Sequence, residues 1–141
     1  AVTPEVEDDE NEAIEVVTPA TYYLKNGKHY IVYEEVVEGT SGVIKNRIKI
    51  NGDECVEIVK SGLSNSHMIF EKNKKNQTFY KTPYGQMLIG VNTRHLQVDF
   101  EEDKIAVRID YELDVNHEPM ADCKIRMNIV SKDSGKFSVL S

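Results

Sequence analysis

Tryptophan is absent from the 141 residues, cysteine occurs twice, and only four prolines and eight glycines interrupt the chain. Cys55 and Cys123, 68 positions apart, make neither a metal-ligand spacing nor a disulfide framework, and they read as unpaired buried thiols. No apolar run approaches the ~20 residues of a membrane span. No basic, apolar leader opens the chain, so the expected setting is the cytoplasm, away from membranes. A chain of this length buries roughly two-thirds of its unfolded surface and folds without a metal or a staple.

A basic excess is missing as well. The net charge is −7, and the first sixteen residues hold Glu5, Glu7, Asp8, Asp9, Glu10, Glu12 and Glu15 with no Lys or Arg. Setting those seven aside leaves 17 acids against 17 basic residues, a neutral body without the cationic surface that phosphate backbones require. Nucleic-acid binding is therefore not expected. The run Glu5 to Glu12 lacks the alternating oxygen ligands and central glycine of a calcium loop, so it reads as a solvated acidic segment.

Catalytic motifs are equally scarce. His29, His67, His95 and His117 are scattered without metal-binding pairing. SGLSNSHM, Ser61 to Met68, lacks the glycines and helix of a nucleophile elbow and reads as a hydroxyl-rich turn. No phosphate-binding or dinucleotide fingerprint occurs, and no cofactor or metal site is expected. The sequence leans away from an enzyme, because no nucleophile, base or metal cluster emerges at usable spacing.

What is present is period two. In KIAVRIDYELDV, Ile105, Val107, Ile109, Tyr111, Leu113 and Val115 alternate with charged residues, broken only by Ala106. ADCKIRMNI repeats the pattern from Ala121 to Ile129, with Asn116 to Pro119 as the connection. These segments predict a long hairpin with one dry face. HLQVDF and YYLKNGKHYIVY follow the same rule. A two-residue Asn26-Gly27 loop places Tyr22 and Leu24 with His29, Ile31 and Tyr33, and puts Tyr23, Tyr30 and Val32 on the other face. At Asn51-Gly52 the burial pattern favours a three-residue loop, Asn51 to Asp53, with Ile48 opposite Val56. Pro83, Tyr84 and Gly85 predict a bulged three-residue turn that places Phe79 with Met87, Ile89 and Val91 on a dry face.

Short strands joined by tight turns predict an all-β fold, a single antiparallel up-and-down (meander) β-barrel of about eight strands. Residues 1–12 form an acidic segment or loop, or the remnant of a first strand. Residues 13–131 form the barrel, and 132–141 a tail or a further strand.

TYYLKNGKHYIVYEE, VKSGLSNSHMIFE, YKTPYGQMLIGVNT and the final hairpin, in that order and spacing, resemble the YwiB-like bacterial proteins, a family of unknown function. The resemblance covers roughly residues 13 to 131 and rests on ordered turns, not on a chemical motif. It implies a calycin or lipocalin-like barrel in a cytoplasmic bacterial protein, and it carries over no catalytic residue. Members of that family begin with a full strand before the acidic loop, whereas here only Ala1 to Thr3 precede it. A missing first strand would leave open edges and favour a homodimer.

Two functions compete. In one, the barrel holds a small, mainly hydrophobic ligand, with Tyr22, His29 and Tyr33 as inward polar contacts. In the other, a filled barrel acts through its surface, with Tyr23, Tyr30 and Tyr84 as protein contacts.

Overall fold

The computed structural model describes residues 2–7, 13–15, 17–63 and 65–131. Asp8 to Glu12 of the acidic run, Ser64 and the 132–141 tail lie outside the described residues. Among the described residues every extended element is a strand: β1 (Val2–Glu7), β2 (Ala13–Glu15), β3 (Thr21–Lys25), β4 (Lys28–Val36), β5 (Val43–Asn51), β6 (Cys55–Gly62), β7 (Ser66–Glu71), β8 (Lys75–Thr82), β9 (Gly85–Phe100), β10 (Lys104–Val115) and β11 (Glu118–Val130). No helix there is long and apolar enough to cross a membrane.

All pairing is antiparallel, in a six-stranded sheet ordered β2-β1-β11-β10-β9-β8 and a five-stranded sheet ordered β3-β4-β5-β6-β7. Eleven strands thus stand where about eight were expected, in two hydrogen-bonded sheets instead of one closed one. The break falls between β7 and β8. Lys74 N–H donates to Glu71 O at 3.0 Å to turn the chain, yet no ladder joins the two strands. At the N-terminus, where a loop or the remnant of a first strand was expected, Val2–Glu7 is a strand paired along β11, from Val2 opposite Ile129 to Glu7 opposite Lys124.

The core lies between the sheets and follows the period-two pattern. Ile31, Ile48, Ile50, Val56 and Phe70 from the smaller sheet meet Val91, Val98, Ile105, Val107 and Ile109 from the larger, and all of them are buried. Alternation breaks once in β9. The ladder with β10 shifts between Asp110, opposite His95, and Tyr111, opposite Thr93, so Arg94 is the extra residue of a bulge. The bulge keeps Leu96 and Val91 on one face although their numbers differ in parity. On the outer face β10 presents a row of acids, each with a basic partner: Asp110 with Arg126 at 3.0 Å, Glu112 with Arg94 at 2.9 Å and Asp114 with Lys75 at 2.5 Å.

The Asn26-Gly27 turn has the expected register, with Leu24 opposite His29 and Tyr23 opposite Tyr30. Both turn residues have positive φ, 53° and 74°, as a type I′ turn needs. At the second Asn-Gly the loop keeps three residues but moves one position on, to Gly52–Glu54, so that Ile48 faces Ile58 and Ile50 faces Val56. This register aligns two apolar pairs and brings Lys49 opposite Glu57, whereas the expected one set Arg47 against Glu57.

The Pro83 turn is a larger correction. Thr82 pairs with Gly85 across a two-residue loop, Phe79 faces Leu88, and Phe79 is 69% exposed. Pro83 supplies the fixed φ of the turn, and Gly85 accepts a φ of 120° in the ladder itself. One residue of register exchanges the faces. Met87, Ile89 and Val91 therefore point inward opposite Tyr80, Thr78 and Asn76, without Phe79.

Candidate functional site

The three residues expected inside the fold all lie on the core face of the smaller sheet, where Tyr22 and His29 meet and Tyr33 stands apart. His29 is 4% exposed, and its Nδ1 lies 2.6 Å from the Tyr22 hydroxyl. Burial lowers the His29 pKa and raises that of Tyr22. Both shifts favour the neutral imidazole and the neutral phenol, which share this hydrogen bond. Phe100 packs on the ring, centroid to centroid 4.8 Å, and the three side chains close one end of the core. Tyr33 lies four residues farther along β4, about 13 Å away at strand spacing. Burial, and then the Glu35 carboxylate, push its pKa up to about 12.

Tyr23 and Tyr30 stack on the outer face, with ring centroids 4.9 Å apart and planes 7° from parallel. They are cross-strand partners at the first turn, so each supplies contact area for the other. Tyr84 sits at the tip of the Pro83 turn and is 98% exposed.

A cleft opens elsewhere, where β7 and β8 part. A cavity of 480 Å³ lies there, with Asn65, Ser66, His67 and Met68 on one wall, Thr78, Phe79 and Tyr80 on the other, and Met87, Ile89, Tyr111 and Leu113 at its base. A smaller space of 180 Å³ continues towards the turn and shares His67, Met68 and Thr78. The geometry explains the opening. The turn at 72–74 holds the strands together, Thr93 N–H binds Lys74 O at 3.0 Å, and beyond that point β8 follows β9 while β7 follows β6.

Met68 on the wall and Met87, Ile89 and Leu113 at the base make the cleft apolar and adaptable. Two polar groups also line it. His67 Nε2 is hydrogen-bonded to Glu57 Oε1 on β6, and the Tyr111 hydroxyl is held protonated by burial and by Cys123. Phe70 fixes the Tyr111 ring edge-on, 4.9 Å between centroids. None of Tyr22, His29 or Tyr33 lines this cavity.

Sequence reasoning missed it because its walls come from four strands. The partial signal was SGLSNSHM, whose second half supplies one wall. Among the described residues no group of three or more His, Cys, Asp or Glu is placed to hold a metal ion.

Comparison with known proteins gives a consistent result. Residues 2–127 match the model of a domain of unknown function, DUF1934. A relative in Bacillus subtilis (strain 168), described as the uncharacterized beta-barrel protein YwiB, is 32% identical over 114 residues, covering 80% of this chain and 78% of that protein. The crystal structure of the ywiB protein from Bacillus subtilis superposes with a TM-score of 0.75 at 24% identity, over 94% of this chain and 89% of that one. This likeness is one of fold.

Proposed function

The chain belongs to the DUF1934 family, and from that premise we propose that it is a non-enzymatic binding protein for a small, mainly hydrophobic ligand. The observation that carries this reading is the 480 Å³ cavity between β7 and β8, within the range of roughly 300–1,000 Å³ that small-molecule sites occupy. The two sheets act as a flattened, calycin-like barrel opened along one seam, and the ligand enters through that seam rather than through an end. A relative described as a beta-barrel protein supports that geometry. A cytoplasmic setting fits two cysteines, Cys55 and Cys123, that are kept as thiols.

A neutral fluorescent probe, N-phenyl-1-naphthylamine, tests the cleft. Its emission should rise on mixing with the protein, and Ile89→Trp, which fills the base of the cleft, should abolish the rise. Absence of any rise, or a rise that survives Ile89→Trp in a folded variant, would sink the reading.

A further inference from the structure

Where β7 and β8 part, each strand keeps one side of its backbone outside any ladder. In an antiparallel pair, alternate residues turn both N–H and C=O to the partner strand, and the residues between them turn both away. Thr93 N–H binds Lys74 O, which fixes the phase of β8: Asn76, Thr78 and Tyr80 bond to β9, while Gln77 and Phe79 turn their N–H and C=O to the seam. The bond from Asn116 N–H to Leu88 O agrees, because it turns Leu88 and Gly90 to β10 and leaves Met87, Ile89 and Val91 for β8. In the same way Leu63 N–H, bonded to Val43 O, fixes β6 and leaves His67 and Ile69 of β7 facing the seam.

This phase accounts for the lining of the cleft. His67 and Phe79 both line it although their side chains stand on the outer faces, because what they turn to it is main chain. Ile69 and Gln77 do the same in the smaller space beside it. The cleft thus combines an apolar base, Met87, Ile89 and Leu113, with strand edges that offer donors and acceptors at regular spacing. A pure hydrocarbon would cover the base and leave those edges unused.

Resting on the cleft as the binding site, we infer that its ligand is an extended peptide segment with apolar side chains at alternate positions, added antiparallel to β8 as a further strand of the larger sheet. Length favours β8 over β7, eight residues against six, and the Glu71 carbonyl that ends β7 already accepts from Lys74 N–H. Peptide residues opposite Gln77 and Phe79 bond to the edge and point their side chains outward. Those opposite Thr78 and Tyr80 point inward, onto the apolar lining of Met68, Met87 and Ile89.

The pentapeptide Ac-Thr-Ile-Thr-Ile-Thr-NH₂ has this pattern, with both isoleucines inward and the central threonine opposite Phe79. Isothermal titration of the full chain with it, and with two forms each carrying a single N-methyl group, tests the assignment. Methylation of the central threonine nitrogen should weaken binding about tenfold, the loss of one edge hydrogen bond. Methylation of the second isoleucine nitrogen, which faces away from β8, should not. In the saturated complex the Gln77 and Phe79 amides should exchange several-fold more slowly with deuterium, whereas N-phenyl-1-naphthylamine, with no backbone to pair, should leave them unchanged. Naphthylamine binding without peptide binding, equal affinity of the two methylated forms, or unslowed exchange at Gln77 and Phe79 would overturn the added strand and leave the cleft standing. Failure of both the naphthylamine and the pentapeptide to bind would overturn both.

Discussion

Lys75 Nζ lies 2.5 Å from Asp114 Oδ2, across the bare backbone of Gly90. The two residues come from β8 and β10, which flank β9, and a Cβ on Gly90 would stand 3.0 Å from Lys75 Cε and 3.3 Å from Asp114 Cβ. The Asp114 side chain is only 9% exposed, and its Oδ1 has no hydrogen bond. Lys75 is therefore what makes a buried carboxylate tolerable there. Lys75→Met should lower unfolding stability by about 1–3 kcal/mol, and should cost less in an Asp114→Asn background. Denaturant unfolding of the four-member cycle measures the coupling, and equal costs in the two backgrounds would show that there is none.

The His29 environment sets a pH dependence. Burial lowers its folded pKa, so below the ordinary imidazole value the unfolded chain binds a proton that the folded chain does not. Its contribution to stability is thus complete above about pH 6.5 and is lost as the pH falls below that value. Thermal unfolding from pH 7.5 to pH 5 should show a decline that is reduced in His29→Gln. An identical decline in the variant would place the titrating group elsewhere.

Register across the Pro83 turn has a direct readout. Phe79, 69% exposed, should tolerate serine at a cost of about 1 kcal/mol or less, whereas Ile89→Ala, on the inward face, should cost about 2–4 kcal/mol. A reversed order would restore the three-residue register.

Asn116 and His117 form a type I′ turn without glycine, at φ of 50° and 69°. His117→Gly should raise stability by about 1 kcal/mol by relieving the left-handed conformation. Asn116→Gly should not, because Asn116 Oδ1 accepts from Leu88 N–H at 3.0 Å and its own N–H donates to Leu88 O at 2.8 Å. Melting temperatures of the two variants decide the matter, and a gain at Asn116 would contradict those bonds.

Much of this architecture was legible because alternation is a local signal. The Asn26-Gly27 turn left only one register that buried Ile31 and Tyr33 together, and β10 and β11 were visible as long alternation broken only at Ala106. Turns with several acceptable loop lengths were less constrained. At Gly52–Glu54 a shift of one position preserved both faces, so patterning could not detect it. At Pro83 the proline and glycine satisfied two registers that both keep Met87 and Ile89 inward, and they differ in which face of β8 meets the core. The cleft was invisible because it joins residues from four strands, which become neighbours only once β7 to β10 are in register.

Pairing of β1 with β11 has a consequence for the order of folding. Val2 meets Ile129 across nearly the whole chain, while β9, β10 and β11 meet through tight local turns. Closing so long a loop has the larger entropic cost, so it follows the pairing of the local strands. The β1 amides bonded to β11 should be the last of the larger sheet to gain protection in pulsed hydrogen exchange, and during synthesis the N-terminal strand has only the short β2 beside it until β11 emerges.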